Sequence, residues 1–311
     1  MDSLPVLEAT VPFNAPNGGK PGKTWYKIIG DLSPSPNSTT PLPPVLVALH
    51  GGPGAGHQYL SPLTDLYLSH RIPIIFYDQV GCGNSTHYRE KLGDTSFWTF
   101  DLFLAELDNL IDHLRLRSRG FYVLGQSWGG MLVGTYAARR PAGLRKAVVA
   151  SGPASMPLYV QGMRGLVAGL GEAVREVLER GGARGSEEYK RAEAVFYAKH
   201  VCALDPRPED LEQAFRNLRE DSTAYLTIQG PSELVVTGSC KDLEGWKDAH
   251  NIEVPVLILN GRYDEMTDLC MEPWFRTIPK VKWVTFENSS HMNHWEARER
   301  YMQVVGGFLT S

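Results

Sequence analysis

The stretch Phe121-Tyr-Val-Leu-Gly-Gln-Ser-Trp-Gly-Gly130 leaves a chain few ways to fold. Phe121 to Leu124 is a short apolar run of the kind that forms a buried strand. It passes into Gly125-Gln126-Ser127-Trp128-Gly129 and then into a helix-like run from Met131 to Arg140. A G-x-S-x-G pentapeptide between strand and helix matches a nucleophile elbow. There the serine takes a strained backbone conformation, and small residues two positions to either side let the turn close. The hydroxyl then stands above the sheet at a helix N-terminus, with the N–H of Trp128 aimed at developing negative charge. The competing reading is a glycine-rich turn that merely packs a helix on a strand, because five-residue patterns recur by chance. An acid, a base and a second oxyanion donor elsewhere in the chain would decide between them.

The rest of the chain alternates strands and helices. Residues 6–13 and 24–32 read as two strands joined by the Asn17-Gly18-Gly19 turn, an antiparallel start to the sheet. Ser33 to Pro44 is a loop rich in Pro, Ser and Thr. Val45–Leu49, Ile74–Tyr77, Ala147–Ala150, Val254–Leu259 and Val281–Phe286 are further strand candidates. Between Phe100 and Arg117 the residues Phe103, Leu107, Leu110, Ile111 and Leu114 recur at helical spacing, and a last amphipathic helix is expected from Trp295 to Leu309. Continuous apolar strands separated by helices imply an α/β fold with a mostly parallel sheet covered on both faces. The alternation lapses from Ala154 to Cys240, where the segments 159–170, 172–180, 187–201 and 208–218 are helix-like, punctuated by Gly181-Gly182 and Asp205-Pro206. The expected organisation is a core formed by 1–153 and 241–311, with a helical cap over 154–240.

In open parallel sheets chemistry collects at the carboxyl ends of strands. Gly261-Arg-Tyr-Asp264-Glu265 follows one candidate strand and Glu287-Asn-Ser-Ser-His291 follows another. The chain order Ser127, Asp264, His291 is that of an α/β-hydrolase. His291 would move the proton of Ser127, and Asp264 would hold the imidazole in one tautomer. Alternatives are a helix-capping turn residue for Asp264 and an exposed loop histidine for His291. His294, three residues on, abuts the expected helix and reads as a surface or supporting residue. The second oxyanion donor is sought in His50-Gly51-Gly52-Pro53-Gly54, and Gly52 is chosen as partner to the Trp128 N–H, against the plain alternative of a tight turn.

Composition narrows the function classes. The chain has 311 residues and a net charge of −4, which gives no basic footprint for nucleic acid or anionic membranes. Cys82, Cys202, Cys240 and Cys270 are scattered, without C-x-x-C spacing, which fits a reducing compartment. Neither a signal peptide nor an 18-residue apolar run is present in the sequence, so a cytoplasmic protein is expected. No metal-ligand spacing, phosphate-cradling loop or dinucleotide fingerprint occurs, so no cofactor or metal is expected.

Taken together, His50-Gly-Gly-Pro-Gly54, Asp78-Gln-x-Gly-x-Gly-x-Ser85, Gly125-Gln-Ser-Trp-Gly-Gly130 and Ser290-His291 resemble the prolyl iminopeptidases, cap-bearing serine aminopeptidases of the α/β-hydrolase superfamily. Gly230-Pro-Ser-Glu-Leu234, Gly261-Arg-Tyr-Asp-Glu265 and Ser290-His-Met-Asn-His-Trp-Glu296 are most similar to the archaeal branch associated with the tricorn protease. Val80 departs from the family, which commonly carries Arg or Phe there. The resemblance implies that Glu233 and Glu265 hold the free amine of the substrate; by itself Glu233 reads as a solvated surface glutamate, whereas Glu265 stands beside Asp264, where a second acid is repelled unless a cation arrives. A free α-amine has a pKa of about 8 and is largely protonated at neutral pH, so a carboxylate pair suits it. Trp98, Phe100, Tyr197 and Trp246 fit a pocket lining and an ordinary core equally well.

The expected function is release of a single N-terminal residue, proline among the candidates, from short peptides or aminoacyl amides through an acyl-enzyme at Ser127. A small-molecule amidase or esterase on the same scaffold, in secondary metabolism for example, is the runner-up. A non-catalytic ligand-binding protein is a third possibility.

Overall fold

The computed structural model describes residues 4–32, 43–180 and 185–311. The strands in chain order are β1 (Val6–Pro12), β2 (Lys23–Ile29), β3 (Val45–Leu49), β4 (Ile74–Asp78), β5 (Phe121–Gln126), β6 (Leu144–Ala150), β7 (Val256–Gly261) and β8 (Val281–Phe286). They form one sheet in the lateral order β1-β2-β4-β3-β5-β6-β7-β8. β1 and β2 pair antiparallel with Val6 opposite Ile29, β2 pairs antiparallel with β4, and the remaining pairs are parallel. Every residue of β3, β4, β5 and β7 is buried, which explains why these strands read as unbroken apolar runs: helices cover both sheet faces. β1 lies at the edge and leaves Val6 and Leu7 exposed.

The chain leaves β3 for β4 on one side and later returns to β5 on the other. Loops following β3 and β5 therefore diverge and open a crevice at the carboxyl end of the sheet. The residues singled out in the sequence lie there: His50–Gly54 after β3, Ser127 after β5, Asp264 and Glu265 after β7, and His291 after β8.

The elbow forms because two glycines let three backbone segments touch. A Cβ on Gly125 would collide with the Gly129 carbonyl, and one on Gly129 with the carbonyl of Leu49 in β3. Ser127 itself sits at φ 58°, ψ −123°, and the helix Trp128–Ala138 starts at the next residue, three earlier than its apolar pattern suggests. Replacing Gly129 with Ala is expected to lower unfolding free energy by about 1–3 kcal/mol, since the added methyl must push the helix off β3. Urea denaturation of the variant checks this, and an unchanged midpoint would refute it.

Among the described residues, five α-helices lie between β6 and β7, Met156–Ala168, Glu172–Arg180, Glu187–His200, Glu209–Glu220 and Thr223–Ile228, followed by the 3-10 helix Gly245–Asn251. The first four match the expected segments to within a few residues. The fifth lacks a sequence signal because it spans only 6 residues. Ser155 and Ser186 cap the first and third by accepting from the N–H groups of Leu158 and Tyr189. Gly181-Gly182 and most of the Ser33–Pro44 loop lie outside the described residues. Two expected helices are interrupted. The first ends at His113, with Arg115 at φ 55°. The last is split at Ala297 into Asn293–Glu296 and Arg298–Thr310. There Trp295 donates to the Tyr59 carbonyl and Glu296 accepts from Ser290 and Ala203, so tertiary hydrogen bonds override helix propensity.

Candidate active site

A cavity of about 460 Å³ lies between the sheet crevice and the helical insertion. Ser127, Gly52, His291, Glu233 and Glu265 all line it. Core and insertion both contribute to its wall.

Asp264 and His291 are brought together from two loops. The imidazole Nδ1 donates to Asp264 Oδ1 at 2.8 Å, and the two residues are 1% and 3% exposed. Asp264 accepts further bonds from the Met266 N–H at 2.8 Å and the Ser151 hydroxyl at 2.6 Å, and Asn293 donates to Ser151 in turn. A carboxylate so surrounded by donors holds one orientation, and with it one tautomer of His291. With Nδ1 engaged, Nε2 is left to face the cavity. Substituting Ser151 with Ala removes one donor without touching the imidazole, so turnover is expected to fall by about 10-fold, corresponding to about 1.4 kcal/mol. Steady-state kinetics checks it, and a loss as large as that of an Asp264 variant would contradict the supporting role.

The loop after β3 is fixed by its own polar contacts. His50 is fully buried, and burial holds its imidazole down at about 4. Being neutral, it donates from Nδ1 to the Gly51 carbonyl and accepts the Gln79 N–H on Nε2. Gln79 returns a bond to the His50 carbonyl and accepts from Trp128 Nε1. The Gly51 N–H donates to the Tyr59 hydroxyl, which donates to Gln126, and Gln126 reaches the His291 carbonyl. This network ties the three loops into one rigid unit. Gly52, at φ 105°, follows Gly51 on this loop and lines the same cavity as Ser127. Trp128, first residue of its helix, has an N–H with no acceptor inside the helix.

Glu233 and Glu265 converge although they stand 32 positions apart in sequence. Tyr159 bridges them: its hydroxyl lies 3.4 Å from Glu233 Oε2 and 3.4 Å from Glu265 Oε2. Tyr225 donates to Glu233 Oε1 at 2.8 Å. Glu265 Oε1 lies 3.7 Å from His291 Nε2. Burial raises the Glu265 carboxyl to about 8, aided by the charge of Glu233, and burial likewise raises Glu233. Burial alone pushes His291 down, but Asp264, then Glu265 and Glu233, outweigh it and lift the imidazole to about 9. Glu233, read alone as a surface residue, is thus part of a buried carboxylate cluster with Glu265.

Of the four aromatics singled out in the sequence, Tyr197 lines the cavity. Trp98 is core and donates to the Lys91 carbonyl, Phe100 packs on the Trp128 ring at 4.7 Å, and Trp246 donates to Glu244. His294 is not at the surface: it is 1% exposed and donates from Nε2 to the Tyr59 carbonyl. Sequence reasoning missed Ser151, Tyr159 and Tyr225. Ser151 directly follows β6, so searching that strand end would have found it. Tyr159 and Tyr225 sit on helices of the insertion, where spacing marks no side chain as different from its neighbours. An apolar part of the cavity wall is formed by Val201, Leu211, Phe215, Leu218 and Leu226. Among the described residues no His, Cys, Asp and Glu cluster has metal-binding geometry, and no helix is long and apolar enough to cross a membrane.

Comparison with known proteins places these features in context. Residues 44–298 match the family described as alpha/beta hydrolase fold. The proline iminopeptidase of Saccharolobus solfataricus is 36% identical over 267 residues, covering 85% of this chain and 84% of that protein. The crystal structure of VinJ superposes with a TM-score of 0.89 at 41% identity, covering 98% of both chains. The proline iminopeptidase of Mycobacterium smegmatis superposes with a TM-score of 0.86 at 34% identity, covering 97% of this chain and 98% of that one.

Proposed function

Since the chain belongs to the α/β-hydrolase family, among the proline iminopeptidases, we propose that it releases one N-terminal residue from small peptides or aminoacyl amides by acyl-enzyme chemistry at Ser127. The observation that carries this is the common cavity: a serine on an elbow, an Asp264-oriented imidazole and two carboxylates face one space. The α-ammonium of the substrate pairs with Glu233 and Glu265, which sets its carbonyl over Ser127. His291 Nε2 takes the hydroxyl proton as Oγ attacks. The N–H groups of Trp128 and Gly52 receive the oxyanion, a contribution of about 3–4 kcal/mol for each donor. His291 then hands its proton to the departing amine, and water resolves the ester with the same imidazole as base. Asp264 keeps Nδ1 occupied throughout. In this reading residues 154–240 act as the cap, with 1–153 and 241–311 as the hydrolase core, and the cap confines access to small substrates.

The test is a pair of aminoacyl arylamides that differ only by N-acetylation. The free amine is expected to be cleaved at least about 100-fold more efficiently, because an acetylated nitrogen is neutral and leaves two buried carboxylates unpaired. Equal rates would dismiss the amine-binding role. A second reading is favoured by the apolar wall of Leu211, Phe215, Leu218 and Leu226, which suits the apolar leaving group of a small-molecule amide as well as a peptide. Comparing an aminoacyl arylamide with a dipeptide of the same first residue separates the two.

A further inference from the structure

The nitrogen that must accept the Ser127 proton is not in a neutral setting. Asp264 occupies Nδ1, so Nε2 is the base, and the nearest charged group to it is Glu265 Oε1 at 3.7 Å. A carboxylate there stabilises the imidazolium, and an imidazolium has no lone pair with which to take a proton. The same carboxylate is the one assigned to the substrate's ammonium. One negative charge is divided between the two, so the hold on the imidazolium weakens as the ammonium takes its share.

We infer that the substrate's ammonium group is itself the trigger of catalysis: by taking over Glu265 it releases His291 from its acidic neighbour and turns it into a base. Glu265 is then a positioning residue for charge as well as a binding residue, and the inference rests on the amine-binding reading above. The surroundings of His291 support it. Asp264 holds the opposite side of the ring, and Glu233 lies beyond Glu265, joined to it through the Tyr159 hydroxyl. His200, whose Nδ1 donates to the Tyr263 carbonyl, and His294, bonded to the Tyr59 carbonyl, are both held below their usual range by burial and supply no positive charge. The only described cation among the cavity-lining residues besides His291 is Arg219, which lies on an exposed stretch of the helix Glu209–Glu220 and lines the neighbouring surface pocket as well. The empty cluster therefore meets its charge by holding protons, with His291 lifted to about 9 and Glu265 to about 8. An arriving ammonium supplies that charge instead. The protons held on Glu265 and on Nε2 leave to solvent, so that the Glu265 carboxylate pairs with the ammonium, and Nε2 then accepts the proton of Ser127 Oγ as the Oγ–C bond forms. Because the amine stays on the acyl group, deacylation benefits equally.

Selection for a free amine would thus act on the chemical step and not only on binding. The experiment compares the pH dependence of kcat for an alanyl p-nitroanilide and for p-nitrophenyl butyrate, which has no amine. In the native enzyme the acid limb of kcat is expected at least about one pH unit lower for the alanyl substrate, the size of effect a neighbouring charge has on a titrating group. In Glu265→Gln the butyrate limb is expected to move down by a similar amount, while Glu265→Asp restores it. Coincident limbs for the two substrates in the native enzyme, or a butyrate limb unmoved in Glu265→Gln, overturn the inference. If Glu265 only binds the amine, its loss raises KM and leaves both limbs in place. Native enzyme that hydrolyses butyrate but no aminoacyl amide refutes the amine-binding reading instead, and the butyrate limb of Glu265→Gln still reports on the hold over His291. Should that variant fail to fold, the two-substrate comparison in the native enzyme decides alone.

Discussion

Ser127→Ala is expected to lower kcat for an aminoacyl arylamide by about 10⁴–10⁶-fold while the protein stays folded. The hydroxyl is the only nucleophile in the mechanism, and its neighbours act through it, so nothing else in the cavity replaces it. Binding and oxyanion donors remain, which is why a residual rate above that in water is expected. Ser127 has φ 58° and ψ −123°, a region that costs a side-chain-bearing residue about 1–3 kcal/mol. Glycine adopts it freely. Ser127→Gly is therefore expected to be as inactive as the alanine variant and more stable than the native chain by about 1–3 kcal/mol. Steady-state kinetics with a urea titration of both variants measures the pair. Activity within tenfold of native in either would end the proposed chemistry, and a glycine variant no more stable than native would show that the elbow stores no strain.

Glu233→Gln is expected to cost about 30- to 1,000-fold in kcat/KM toward free-amine substrates and close to nothing toward their N-acetylated counterparts. Breaking one half of a buried, hydrogen-bonded charge pair typically costs 2–5 kcal/mol, and about 1.4 kcal/mol corresponds to tenfold. Glutamine keeps the shape and can still accept from Tyr225 and Tyr159, so the change is mainly one of charge. It also removes one of the groups that raise Glu265 and His291. With the imidazole pushed up less, a smaller fraction is protonated at neutral pH. The free amine thus loses affinity, whereas a substrate without the amine keeps its rate at neutral pH and shows only a slightly lower acid limb. A loss of equal size for both would mean that Glu233 merely supports the insertion.

Much of the core was legible because the relevant physics is local. The runs Val45–Leu49 and Phe121–Leu124 announce buried parallel strands, and the glycines at 125 and 129 announce a turn too tight for side chains. The cluster around the glutamates was legible only through resemblance. Nothing near Glu233 distinguishes it from a surface glutamate, and Tyr159 and Tyr225 are two tyrosines among 13. Their meaning depends on how the insertion folds back over the sheet. For His294 the sequence left a surface and a supporting role open, and the contact that decides for the buried one is with Tyr59, 235 positions away.

The sequence by itself determined the order of strands and helices, the elbow at Ser127, and the strand ends from which an acid and a base must come, because these follow from spacing, periodicity and the steric needs of single residues. Only the tertiary structure decided that Glu265 lies 3.7 Å from the base, that Tyr159 joins it to Glu233, and that a half-apolar cavity surrounds them. Charge interactions depend on distance through space and on exclusion of water, and neither quantity is written along a chain.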